Sequence, residues 1–129
     1  MIKKTSLCFL LMLPAMLFAQ DNWILVVKNN GGSLYYDPSS IKTAGKINKV
    51  WTLQDRTTQD PSGYLSAKLQ MELDCQNDSF KNLYAHTFSG HMGTGEVLRE
   101  GGDPSGNSPS MPIAPNSTYK SLLDLVCKK

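Results

Sequence analysis

The stretch that most constrains the fold is Tyr64 to Cys75. Leu65, Ala67, Leu69, Met71, Leu73 and Cys75 alternate with Ser66, Lys68, Gln70, Glu72 and Asp74. Successive side chains of a strand point to opposite faces, so this period of two describes a long strand with one apolar and one polar side. Such a strand belongs in an antiparallel sheet that is covered on one face and wet on the other. Whatever covers the apolar face must also accommodate Cys75, which ends the stripe.

The end of the chain supplies a cover. Pro115, Asn116, Ser117 and Thr118 form a helix start signal, with Asn116 or Ser117 as the cap. Tyr119, Leu122, Leu123, Val126 and Cys127 then fall on one side of a helix, the pattern of a helix packed on a sheet. Cys127 lies in that stripe, so a bridge to Cys75 would pin the helix to the apolar face.

The N-terminus decides whether that bridge can form. Lys3 and Lys4 precede an apolar stretch from Leu7 to Phe18, and Ala19 offers a small residue for cleavage. This is the pattern of a secretory signal over residues 1–19, with the domain at 20–129. The apolar stretch is shorter than the roughly 20 residues of a membrane-spanning helix, so no span is expected after cleavage. Cys8 lies inside the stretch, between Leu7 and Phe9, which is the wrong place for lipidation. The expected product is exported to the periplasm or the medium, with the cell surface open to it.

Removing residues 1–19 from the 129-residue chain leaves 110, the size of one domain. Lys3 and Lys4 leave with the signal, so 13 basic residues become 11, against 11 acidic ones. A neutral domain has no general electrostatic reason to bind nucleic acid or an anionic membrane. The three cysteines become two, and an even pair in an exported chain reads as one disulfide, Cys75–Cys127. The alternative, a Cys/His metal site, lacks ligand spacing.

Other elements follow from turn signals. Trp23–Lys28 and Leu34–Tyr36 read as a hairpin around Asn29-Asn30-Gly31-Gly32. Ile47–Asp55 is a further strand, with Ile47, Lys49, Trp51, Leu53 and Asp55 opposite Asn48, Val50, Thr52 and Gln54. Phe80–Ser89 follows the Asn77-Asp78 turn, with Leu83, Ala85 and Thr87 opposite Tyr84, His86 and Phe88. Glu96–Glu100 is a last short strand, and Gly101–Pro112 reads as an exposed, mobile loop. The expected fold is α+β: an antiparallel β-sheet of about six strands with one C-terminal helix packed on one face, tied by a disulfide.

No catalytic constellation stands out, and no cofactor is expected. Serines, aspartates and two histidines are present without a nucleophile-elbow motif. Gly90, Gly93 and Gly95 bend the chain between two strands and open no helix, so they make no phosphate cradle. His91 and Met92 are axial ligand types for haem, but neighbours on one bend cannot grip one iron from opposite sides. Trp23, Tyr35, Tyr36, Trp51, Tyr64, Tyr84 and Phe88 are spread over the strands, and most are expected in the core. Those on the wet face are candidates for a partner surface. The candidate ligand contacts are therefore His86, His91, Tyr84 and Phe88.

At this point the chain resembles a known family. The carrying segments are Tyr35-Tyr36-Asp37-Pro38-Ser39-Ser40-Ile41, Lys49-Val50-Trp51-Thr52-Leu53-Gln54-Asp55, Ser66-Ala67-Lys68, Glu72-Leu73-Asp74-Cys75, the bend from Ser89 to Gly95, and Ile113-Ala114-Pro115-Asn116-Ser117 before the helix. In order and spacing they resemble the surface-adhesin protein E family of Gram-negative bacteria. The resemblance implies an antiparallel sheet with a C-terminal helix held by Cys75–Cys127. It also implies an adhesin that contacts host extracellular-matrix or plasma proteins and can form a homodimer. The member that gives the family its name is a lipoprotein, and this chain departs from it in lacking a lipidation cysteine. The functional expectation is an exported, non-enzymatic binding module with a protein partner. The alternative is a soluble periplasmic domain that binds haem or a cell-envelope component.

Overall fold

The structure is a computed structural model that describes residues 22–128. The expected signal and Cys8 lie outside the described residues. Among those described, no helix is long and apolar enough to cross a membrane.

Among the described residues, eight strands form one antiparallel sheet: β1 Ile24–Asn29, β2 Gly32–Tyr36, β3 Lys42–Ala44, β4 Ile47–Arg56, β5 Ser66–Asp74, β6 Ser79–Phe88, β7 Val97–Gly102 and β8 Met111–Pro112. Among the described residues one α-helix, α1, runs from Thr118 to Cys127. The order is β1-β2-β4-β5-β6-β7, with β3 added to β4 and β8 to β6. The long strands β4 and β6 thus each hold two shorter ones end to end along one edge. Six sheet positions and one helix match the expected α+β fold.

The pattern that announced β5 also sets the layers. Val50 pairs with Met71 and Thr52 with Leu69, while Asn48 pairs with Leu73. These residues share the face on which α1 lies. Leu34, Val50, Leu69, Met71, Leu73 and Phe80 meet Leu122, Leu123 and Val126 there in one buried cluster. Leu122 and Leu123 have no exposure, and burying each contributes about 1.5–3 kcal/mol. Ser117 caps the helix, its Oγ accepting from Lys120 N at 3.1 Å. Cys75 and Cys127 are bonded, with Cα atoms 5.7 Å apart.

Three expectations are corrected. The alternation read through Phe80–Ser89 is broken by a bulge, since Gln70 pairs with Tyr84 but Met71 with Asn82. Phe80 and Ala85, five residues apart, therefore both pack into the helix-side core. The segment read as a mobile loop from Gly101 starts inside β7 and ends as β8 on Ser79 and Phe80. Lys81 Nζ donates to Gly106 O at 2.7 Å and ties its middle down. The aromatic residues are mostly not core: of the seven, only Phe88 is buried, and the others are half-buried.

Candidate functional site

The second face of the sheet carries no helix. β5 contributes Ser66, Lys68, Gln70, Glu72 and Asp74 to it. Register brings Trp51 beside Gln70 and Leu53 beside Lys68 from β4, and Tyr84, His86 and Phe88 beside Gln70, Lys68 and Ser66 from β6. Three of the four expected contact residues, Tyr84, His86 and Phe88, therefore stand together on the open face. Trp51 joins them because the helix-side face of β4 is the one that carries Val50 and Thr52.

Trp51 is held from behind by its own chain. Asp37 caps a 3-10 turn, Pro38–Ser40, by accepting from Ser39 N at 2.9 Å and Ser39 Oγ at 2.6 Å. Pro38 suits the first turn because it has no N–H to leave unsatisfied. Ser40 Oγ donates to Asp37 O at 2.7 Å and accepts from Trp51 N at 2.9 Å. Asp37 N donates to Trp51 O at 3.0 Å. The turn thus fills the gap between β2 and β3 along β4 and fixes the Trp51 backbone.

At the other end, the bend after β6 folds back on β4 and β5. Ser66 has no exposure, and its Oγ donates to Gly90 O at 2.6 Å and accepts from Gly93 N at 2.8 Å. Asp55 Oδ1 accepts from Met92 N at 2.8 Å and lies 3.1 Å from His91 Nδ1. Met92 has φ 54° and is held there by these contacts. Gly93, with φ +72°, lies against the Lys68 stem: a Cβ there would sit 2.7 Å from Lys68 Cε. The glycine lets the lysine stem pass under the bend.

That passage sets the Lys68 ammonium 5.8 Å from the Trp23 ring centre and 5.6 Å from that of Phe88. Both distances fall in the range of cation–π attraction. Trp23, Asp37, Trp51, Lys68, His86 and Phe88 line a cleft of about 360 Å3. His86 lies 6.0 Å from Trp51 and stacks on Tyr84 at 5.2 Å. Its Nδ1 is 3.2 Å from Glu100 Oε1 on β7. His91 does not line the cleft; its imidazole sits on the bend with Asp55. Trp23, Trp51 and Lys68 were missed as site residues. Lys68 was legible as wet-face, but its place beside two rings depends on a bend 25 residues away in sequence.

Chemically, the cleft offers apolar ring surface, one fixed cation, one carboxylate and an imidazole. Among the described residues, no group of three His, Cys, Asp or Glu side chains could hold a metal ion.

The family model described as surface-adhesin protein E matches residues 23–128. Crystal form II of Haemophilus influenzae protein E is similar in structure, with a TM-score of 0.60 at 16% identity over 86% of this chain and 91% of that one. A selenomethionine form of Haemophilus influenzae protein E gives 0.58 at 16% identity, over 86% and 89%. Protein E from non-typeable Haemophilus influenzae gives 0.55 at 16% identity, over 87% and 79%. At that identity the likeness establishes the fold. No curated protein matches the chain.

Proposed function

The chain belongs to the surface-adhesin protein E family, and on that premise we propose that it is an exported, non-enzymatic binding module that contacts host extracellular-matrix or plasma proteins through the helix-free face of its sheet. The observation that carries this reading is the aromatic cleft around Lys68. Trp23, Trp51 and Phe88 gather there with His86, while the opposite face is filled by α1. Aromatic side chains dominate the energetic centres of protein interfaces because they bury much area at little entropic cost. Self-association of two copies belongs to the same reading, and sedimentation at rising concentration detects it.

Localisation and binding measured on one preparation test the proposal. The expected result is protein accessible at the cell surface or in the medium, with saturable binding to at least one matrix or plasma protein. Protein confined to the periplasm, with no such binding, would overturn it.

One observation favours a second reading. The cleft volume, about 360 Å3, lies within the roughly 300–1,000 Å3 of small-ligand sites, and His86 offers an imidazole at its edge. A periplasmic domain that binds haem or a cell-envelope component would use this cleft. A haem titration decides the haem version: a Soret shift lost in His86→Ala supports it, and no shift removes it.

A further inference from the structure

The far end of the open face carries a charge arrangement that the aromatic cleft does not use. Lys42 and Lys49 are direct partners across β3 and β4. Lys49 faces Glu72 on its other side, and Glu72 faces Lys81. One rung across four strands therefore reads Lys42, Lys49, Glu72, Lys81. Its single carboxylate is engaged, since Glu72 Oε2 stands 3.9 Å from Lys81 Nζ. Among the described residues, neither Lys42 nor Lys49 forms an ion pair. Like charges directly opposite each other destabilise a ladder.

The surroundings do not cancel this charge. Lys46, in the turn that joins β3 to β4, adds another cation. Asp74 ends β5 two residues beyond Glu72, and its carboxylate, which accepts from Gln76 N, Asn77 N and Asn77 Nδ2, keeps its charge; Lys42, Lys46, Lys49 and Lys81 still outnumber Glu72 and Asp74. The two opposed lysines help line a concavity of about 360 Å3, together with Thr43, Ala44, Ile47 and Glu72.

We propose that this concavity is an oxyanion site, in which Lys42 and Lys49 hold one sulfate, phosphate or carboxylate group between them. Directly opposed strand residues have Cβ atoms only about 4.5–5.5 Å apart, so two lysine heads can converge on one anion. Charge-assisted hydrogen bonds to it would turn the repulsive pair into an attractive triad. Glu72 on the wall is an acceptor, which suits a bearer that also offers hydroxyl groups. The arrangement thus favours an anion carried on an acidic polysaccharide over a bare ion. The site shares no residue with the aromatic cleft, so it stands or falls apart from the function proposed above.

The test uses the domain with its disulfide intact and three probes: heparin as a sulfated polysaccharide, inorganic sulfate, and uncharged dextran. Heparin is expected to bind with an affinity that falls as salt rises, and dextran not at all. Lys42→Gln/Lys49→Gln should weaken heparin binding about tenfold or more. A charge-matched control, Lys28→Gln/Arg99→Gln, should retain it. The unliganded lysine-pair variant should melt no lower than the parent, because a repulsion has been removed. Protection of the parent by inorganic sulfate as well would assign the site to free anions, and binding of heparin alone would assign it to anions on a chain; both support the oxyanion site. Absence of binding to heparin and sulfate, or equal loss in the control, would overturn it.

Discussion

Ser66 belongs to the polar stripe of β5 yet has no exposure, because the Ser89–Gly95 bend folds over it. Its hydroxyl spends both hydrogen-bonding roles on that bend, toward Gly90 O and Gly93 N. Ser66→Ala leaves both groups without this partner and should cost about 1–3 kcal/mol, read as a lower melting temperature. Tyr119 gives a pH signature. Burial raises its phenol pKa, with the nearby Tyr64 adding a little and the Gln54 hydrogen bond opposing. The folded protein therefore holds this proton more tightly than the unfolded chain does. Stability is fully present below the ordinary tyrosine pKa of 10.0 and is lost as pH rises from there through the folded value. Tyr119→Phe should flatten that alkaline decline in a denaturation series, and an unchanged slope would contradict the assignment. That Tyr84, His86 and Phe88 share one side of their strand was legible from alternation; that this side is the open one is set by their pairing with Gln70, Lys68 and Ser66. The open-face place of Trp51 was not legible, because both sides of Ile47–Asp55 carry apolar residues. The choice is made by Val50 and Thr52 pairing with Met71 and Leu69, a contact distant in sequence.

Elements separate along the same line. β5 and α1 were legible because each is long enough to show its period. The three residues of β3 and two of β8 are too short to show one. They exist because β4 and β6 are longer than their first partners and leave ladder edges to fill. The bulge in β6 is equally silent, since it is an extra residue defined only against β5. The helix is anchored by apolar contact, a cap and a covalent bond. Leu123→Ala empties a fully buried position and should cost about 2–5 kcal/mol. Ser117→Ala removes the cap bond to Lys120 N and should cost about 1 kcal/mol. Denaturant titration of the two variants should rank them in that order.

At the scale of the whole molecule, one disulfide joins the two layers. Cys75 directly follows β5 and Cys127 ends the helix, 52 positions apart. Opening a loop of that size forgoes about 4 kcal/mol in the chain-entropy account. Cys127→Ser should therefore lower the melting temperature sharply, and free thiols titrated in the native parent would contradict the bridge. The two layers also divide the labour. The helix side holds the main core, so the opposite face is free to present Trp23, Trp51, Lys68 and His86, with the buried Phe88 lining the same cleft. The most direct measurement is the affinity of Trp51→Ala, against the parent, for the matrix or plasma protein that the parent binds. The account predicts a loss of at least about thirtyfold, the cost of truncating an interface hot spot, with the circular-dichroism spectrum preserved. Parental affinity in a folded Trp51→Ala variant would contradict the claim that the open face makes the contact.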